Sequence, residues 1–195
     1  MINVIGSIIR LSQMTKFQTA VKWLSLACFI ILAVALIVEA SMPGNLSSSH
    51  SGAVSNAVVD ATEKIEGVVG GTNSNEGGAD TPTLSEQIKA NWSKFNYYLR
   101  KGIGHFGAFF VLAIFGTIAF MKLGESKENG FLVSLVLGVS IALATEIIQL
   151  YRPGRAGTAT DVGIDSLGYL CGMAICLVVV IISSLVKRAR GKRAV

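Results

Sequence analysis

The sequence predicts an all-α membrane protein, a small bundle of four transmembrane helices, and three observations carry that reading. Of the 195 residues, 51% are hydrophobic and only 15% are charged, which leaves little room for a soluble domain. Four apolar stretches, residues 21–40, 103–121, 131–151 and 164–186, are long enough to cross a bilayer core, which takes about 20 residues as helix. An isolated run in lipid can satisfy its backbone hydrogen bonds only as a helix.

Residues 1–20 read as a cytoplasmic N-terminal segment. Ile2, Val4, Ile5, Ile8, Ile9 and Leu11, with Arg10 and Lys16, suggest a short interfacial helix ahead of the first span. The span at 21–40 is near full length, and no small-x-small cleavage site follows Glu39, Ala40 and Ser41, so it reads as an uncleaved anchor. Residues 41–83 are rich in Gly and Ser and are expected to form a flexible outer loop, because such a segment buries too little apolar area to fold firmly. Within it Val54, Val58, Ile65 and Val69 predict only transient helix. At 84–101 the pattern changes: Leu84, Ile88, Trp92, Phe95 and Leu99 recur at helical steps. That spacing predicts an amphipathic helix on the outer membrane surface, with Trp92, Tyr97 and Tyr98 at interfacial depth. Residues 102–186 hold the other three spans, and 187–195 form a basic cytoplasmic tail.

Charge sets the expected orientation. The net charge is +5, and Lys187, Arg188, Arg190, Lys192 and Arg193 follow the last span with no acid among them. Placed there, a basic run reads as a cytoplasmic anchor near anionic lipid, not as a nucleic-acid site. Arg10, Lys16 and Lys22 precede the first span, so both termini are expected in the cytoplasm, with 41–101 and 152–163 outside. Cys28, Cys171 and Cys176 all fall within spans. An odd number in lipid argues against a disulfide framework, and the absence of Cys/His spacing predicts no metal and no cofactor.

Under this topology one polar layer forms near the outer leaflet. Lys101 and His105 open the second span, Glu146 and Gln149 close the third on one helical face, Arg152, Arg155 and Asp161 lie in the loop, and Asp165 begins the fourth span. Polar and ionisable groups at membrane depth are costly and mark sites by default, so all eight are expected to bind ligand. Pro153, Gly154 and Gly157 make a turn from which Arg155 can swing back over the bundle. Three of these residues also have a plainer role. Asp161 can sit in the first turn of a helix capped by Thr158 or Thr160, Glu146 can form a buried clamp with Arg152 or Arg155, and His105 can be a packing residue. Gly168 and Gly172 form a small-xxx-small step that suits close packing inside the bundle or against a second copy.

Lys101, His105 and Phe106, then Glu146 and Gln149 running into Arg152, Pro153, Gly154 and Arg155, then Asp161, Asp165, Gly168 and Gly172 together resemble the VanZ-like family of bacterial membrane proteins. The likeness covers residues 101–172, and the first span fits the family's four-helix plan, which makes 102–186 the VanZ-like core. Two features depart from the pattern: Asp165 stands where the family usually has Asn, and the Gly/Ser-rich outer segment is long. The resemblance implies a multi-pass protein of the bacterial cytoplasmic membrane. The family's namesake is associated with teicoplanin resistance, which implies a link to glycopeptide or envelope-stress resistance.

Three functions compete. In the first, the cluster binds an anionic lipid headgroup or cell-wall precursor through Arg152 and Arg155. In the second, the chain is an intramembrane enzyme acting on a lipid-linked substrate, with His105 or Glu146 as catalytic acid/base. No Ser-x-x-Lys, Gly-x-Ser-x-Gly or His-Glu-x-x-His motif supports the enzyme. In the third, the cluster only fixes helix register.

Overall fold

The computed structural model describes residues 2–70, 82–124 and 126–192. Its elements, in chain order, are α1 (Ile2–Ser41), α2 (Gly44–Gly70), α3 (Leu84–Ala90), α4 (Trp92–Leu99), a π-helical segment (Arg100–Gly107), α5 (Ala108–Leu123), α6 (Lys127–Leu150) and α7 (Ala159–Lys192). Four runs are long and apolar enough to cross a membrane: Lys16–Ser41, Trp92–Leu123, Lys127–Leu150 and Ala159–Val186. They match the four predicted spans and extend most of their ends.

α5 is the hub, packed against α1, α6 and α7. The buried core joins all four spans through Phe29 of α1, Phe109, Leu112 and Ala113 of α5, Ala142 of α6, and Tyr169 and Met173 of α7. Many other large apolar side chains, among them Ile30, Val136 and Ile181, stay exposed on the outside of the bundle, where a membrane protein meets lipid. Polar groups inside the core are matched to each other. The Tyr169 hydroxyl lies 2.8 Å from Ser134 Oγ, which lies 3.4 Å from Thr117 Oγ1, so each of these three buried hydroxyls has a partner. Gly138 lies directly beneath the Tyr169 ring: a Cβ there would come within 2.3 Å of it.

Gly168 and Gly172 use their missing side chains inside the chain. A Cβ added at these positions would lie 2.3 Å and 2.4 Å from the carbonyl oxygens of Phe106 and Phe110, respectively. The small-residue step of α7 thus lets the π-helical segment and α5 approach closely, and the close contact left open for a second copy is made within one chain.

Three expectations about the extramembrane part are corrected. The N-terminal residues do not form a separate short helix, since α1 runs unbroken from Ile2. The segment expected as flexible loop over 41–83 is helical over Gly44–Gly70, while residues 71–81 lie outside those described. Three long-range pairs hold α2 onto α3 and α4: Ser55 Oγ donates to Asn96 Oδ1 at 2.9 Å, Ser85 Oγ to Glu66 Oε2 at 2.6 Å, and Lys89 to Glu63. Val59 is buried in the same contact. The amphipathic helix expected over 84–101 breaks at Asn91, and α4 then leads through the π-helical segment into the second span. α3 starts with a complete capping box, in which Thr83 accepts from the Glu86 N–H and the Glu86 carboxylate accepts from the Thr83 N–H.

Candidate functional site

The polar cluster forms at one end of the bundle, where the C-termini of α1 and α6 meet the π-helical segment and the N-terminus of α7. Local chain geometry brings these ends together. Past α6 the chain turns through Pro153 and Gly154, the latter at φ 70°, a left-handed conformation that glycine adopts without strain. The Gly44 N–H donates to the Pro153 carbonyl at 2.9 Å, and a Cβ on Gly44 would strike the Gly154 oxygen at 2.0 Å. The exit of the first span is thereby pinned to the α6–α7 loop.

On α6, Glu146 and Gln149 are both buried. Gln149 Nε2 donates to Glu146 Oε1 at 3.3 Å, and the Thr158 backbone N–H donates to Glu146 Oε2 at 2.9 Å. Thr158 caps α7, its Oγ1 accepting from the Asp161 N–H at 3.1 Å, so Glu146 lies at the positive end of that helix. His105 stands on the π-helical segment, a form that recurs at functional sites because the extra residue per turn re-aims side chains. Its Nδ1 lies 3.0 Å from Asp165 Oδ1 and 3.9 Å from Glu146 Oε1. The three side chains are 15%, 1% and 4% exposed for His105, Asp165 and Glu146. Asp165 Oδ2 is buried without a hydrogen-bond partner among the described residues.

Arg155 does not neutralise this trio. It turns to α1, where Nη1 lies 3.5 Å from Glu39 Oε1. Glu39 also accepts from Ser47 Oγ at 2.6 Å and lies 3.8 Å from His50 Nδ1. The Arg155 side chain is only 6% exposed, and its Nε has no hydrogen-bond partner among the described residues.

Two cavities open beside these groups. One of about 220 Å³ is lined by Glu39, Arg100, His105, Gln149, Arg155 and Asp165, together with apolar Leu36, Val54 and Phe109. The other, of about 340 Å³, is lined by Ser48, Asn96, Arg100, Gln149, Arg155 and Asp161. Arg100, Gln149 and Arg155 belong to both walls.

Of the sequence-derived site residues, the structure gathers His105, Glu146, Gln149 and Asp165 into one contact group, with Arg155 and Asp161 on the cavity walls. Two expected details are corrected. Arg152 is exposed on the loop and lines neither cavity, and the clamp of Glu146 with an arginine is replaced by contacts to His105, Gln149 and the α7 N-terminus. Lys101 belongs to the π-helical segment, but its side chain lies outside those described. Sequence reasoning missed Glu39, Ser47, His50 and Arg100. Glu39 carried a signal, being an acid at the end of an apolar span; Ser47 and His50, within a polar low-complexity run, carried none.

Four membrane-spanning helices closing round a buried polar group at one end define a multi-pass helical membrane protein. A scan against family models matches VanZ/LLP1 over residues 23–181, and the chain belongs to that family. The match includes the first span as well as the motif-bearing region. Neither the curated proteins nor the solved structures contain a match.

Proposed function

We propose that the chain binds an anionic headgroup, of a membrane lipid or a lipid-linked cell-envelope precursor, in the two cavities that meet at Arg155. One observation carries this reading: Arg155 is almost fully buried, stands in the wall of both cavities beside Arg100, and has an unused Nε donor among the described residues. A buried guanidinium with free donor capacity is built for forked hydrogen bonding to phosphate or carboxylate. The apolar lining from Leu36, Val54 and Phe109 suits the glycerol and acyl start of a lipid. Orientation follows from charge: the basic groups before the first span and after the last favour a cytoplasmic location for both termini, in the bacterial cytoplasmic membrane. The cluster then faces the outer leaflet, where it bears on glycopeptide or envelope-stress resistance.

The test is binding of phosphatidylglycerol against phosphatidylcholine to the full-length protein in detergent, read by native mass spectrometry and thermal unfolding. Phosphatidylglycerol should bind preferentially. Arg155→Lys should weaken it about 10- to 150-fold, as expected for loss of a charge-assisted bond of about 1.5–3 kcal/mol. Equal binding of the two lipids, or an unchanged preference in Arg155→Lys, refutes the reading. Teicoplanin susceptibility of cells carrying the wild type or Arg155→Lys tests the resistance link separately.

A further inference from the structure

We propose that His105, Glu146 and Asp165 together hold a divalent metal cation. The donor atoms, one imidazole nitrogen and one oxygen from each carboxylate, all lie within 4.8 Å of one another. His105 Nδ1 faces both carboxylates, at 3.0 Å and 3.9 Å. Bonds of about 2.1 Å to a shared ion bring ligand atoms to about 3.4 Å apart in tetrahedral geometry. The ligand atoms must draw together by up to about 1.4 Å to reach that spacing.

The independent pointer to an ion is Asp165. Its side chain is 1% exposed and lines the cavity, with Oδ1 against His105 and Oδ2 buried without a hydrogen-bond partner among the described residues. A buried carboxylate oxygen left without a hydrogen-bond partner is costly unless something positive meets it. Arg155, the buried arginine of the same cavity, does not do so, because it pairs with Glu39. The two carboxylates, one from α6 and one from α7, converge on a single imidazole.

Supporting groups around the trio are those metal ligands need. Gln149 Nε2 and the Thr158 N–H hold the two oxygens of Glu146, fixing the carboxylate while leaving lone pairs for an ion. One imidazole with two carboxylates favours Zn²⁺, Mn²⁺ or Fe²⁺ over a soft ion that needs thiolates. Two of the three ligands, His105 and Asp165, also line the cavity, so an ion held by them would border that space. An ion there would add positive charge to the cavity that also holds Arg155. That consequence rests on the proposed headgroup site; the metal site itself does not.

The experiment uses the full-length protein in detergent, stripped with a chelator, then titrated with Zn²⁺ or Mn²⁺ alone and analysed by equilibrium dialysis and elemental mass spectrometry. Expected is about one ion per chain, with affinity falling at least tenfold in Asp165→Asn and in Glu146→Gln, and unchanged in Glu63→Gln, an exposed acid on α2. Co²⁺ substitution of the wild type should give a ligand-field absorption spectrum displaced by Zn²⁺, a readout that does not depend on any variant folding. Failure of the wild type to retain an ion overturns the proposal, as does equal retention by Asp165→Asn. So does an infrared carbonyl band from a protonated carboxylic acid that Asp165→Asn removes, since a proton would then replace the cation. Lipid preference is read in a separate assay, so failure here and failure of headgroup binding are distinguishable.

Discussion

Gly168→Ala tests whether packing and site geometry are joined. The added methyl would lie 2.3 Å from the Phe106 carbonyl oxygen and 3.0 Å from its carbonyl carbon, whereas ordinary contact begins at 3.4 Å. The obstacle is backbone, so α7 and the π-helical segment must part by about 1 Å, the shortfall from ordinary contact. Gly163→Ala on the same helix is the matched control, because a Cβ there meets nothing within 4 Å. Both substitutions gain about 0.5–1 kcal/mol from replacing a helical glycine. Their difference cancels that gain and isolates the clash, expected at about 1–3 kcal/mol. The structural consequence is specific. Phe106 follows His105, and Asp165 lies about one turn before Gly168, so such a separation stretches the 3.0 Å contact of His105 with Asp165 beyond hydrogen-bonding range. Unfolding in mixed micelles with increasing denaturing detergent, followed by circular dichroism, measures the stability difference. The pH titration of the His105 ring by nuclear magnetic resonance reads the contact. Equal stability of the two variants, or an unperturbed ring signal in Gly168→Ala, refutes the reasoning.

Two further predictions concern regions away from the cluster. Glu66 is held below the ordinary 4.5, first by the Ser85 hydroxyl and then by the backbone N–H groups of Ser85 and Leu84, against an opposing effect of burial. A lowered folded-state value means its contribution to docking α3 on α2 is complete above about pH 4.5 and is lost as pH falls through the folded value. Protection factors over 84–90, with the intrinsic pH dependence of amide exchange divided out, should therefore fall on acidification, and Glu66→Gln should abolish that fall; identical profiles would contradict it. In the core, Tyr169→Phe removes the 2.8 Å bond to Ser134, which should cost about 1 kcal/mol. Ser134→Ala in that background should add much less than it does alone, and simple additivity would show that the two hydroxyls are not coupled.

The spans were legible because an apolar run of about 20 residues has one stable form in lipid. The approximate layer of the site was legible too, because four alternating spans carry their polar ends to the same side. The sequence could not show which arginine turns inward. Arg152 and Arg155 are the same residue type three positions apart, and the bend at Pro153 and Gly154 decides between them. The helicity of α2 was hidden for a related reason: Ser55, Glu63 and Glu66 find partners 41, 26 and 19 residues away, outside any window in which periodicity is read. The π-helical register of residues 100–107 leaves no mark in composition beyond its glycines.

The first span belongs to the site, and this follows from charge. The Arg155 side chain is 6% exposed, and the carboxylate beside it is Glu39, 116 residues earlier in the chain. Asp161, the nearest acid by sequence, lies in the wall of the other cavity, and Glu146 and Asp165 contact His105, Gln149 and the start of α7. Without α1 the guanidinium would lose its Glu39 counter-charge, and the cavity would lose the Leu36, Glu39 and Ala40 wall. The motifs that carry the resemblance begin at Lys101, yet the family match begins at residue 23, inside α1. That earlier boundary agrees with the geometry: the end of α1 supplies the partner that lets an arginine be buried between two cavities.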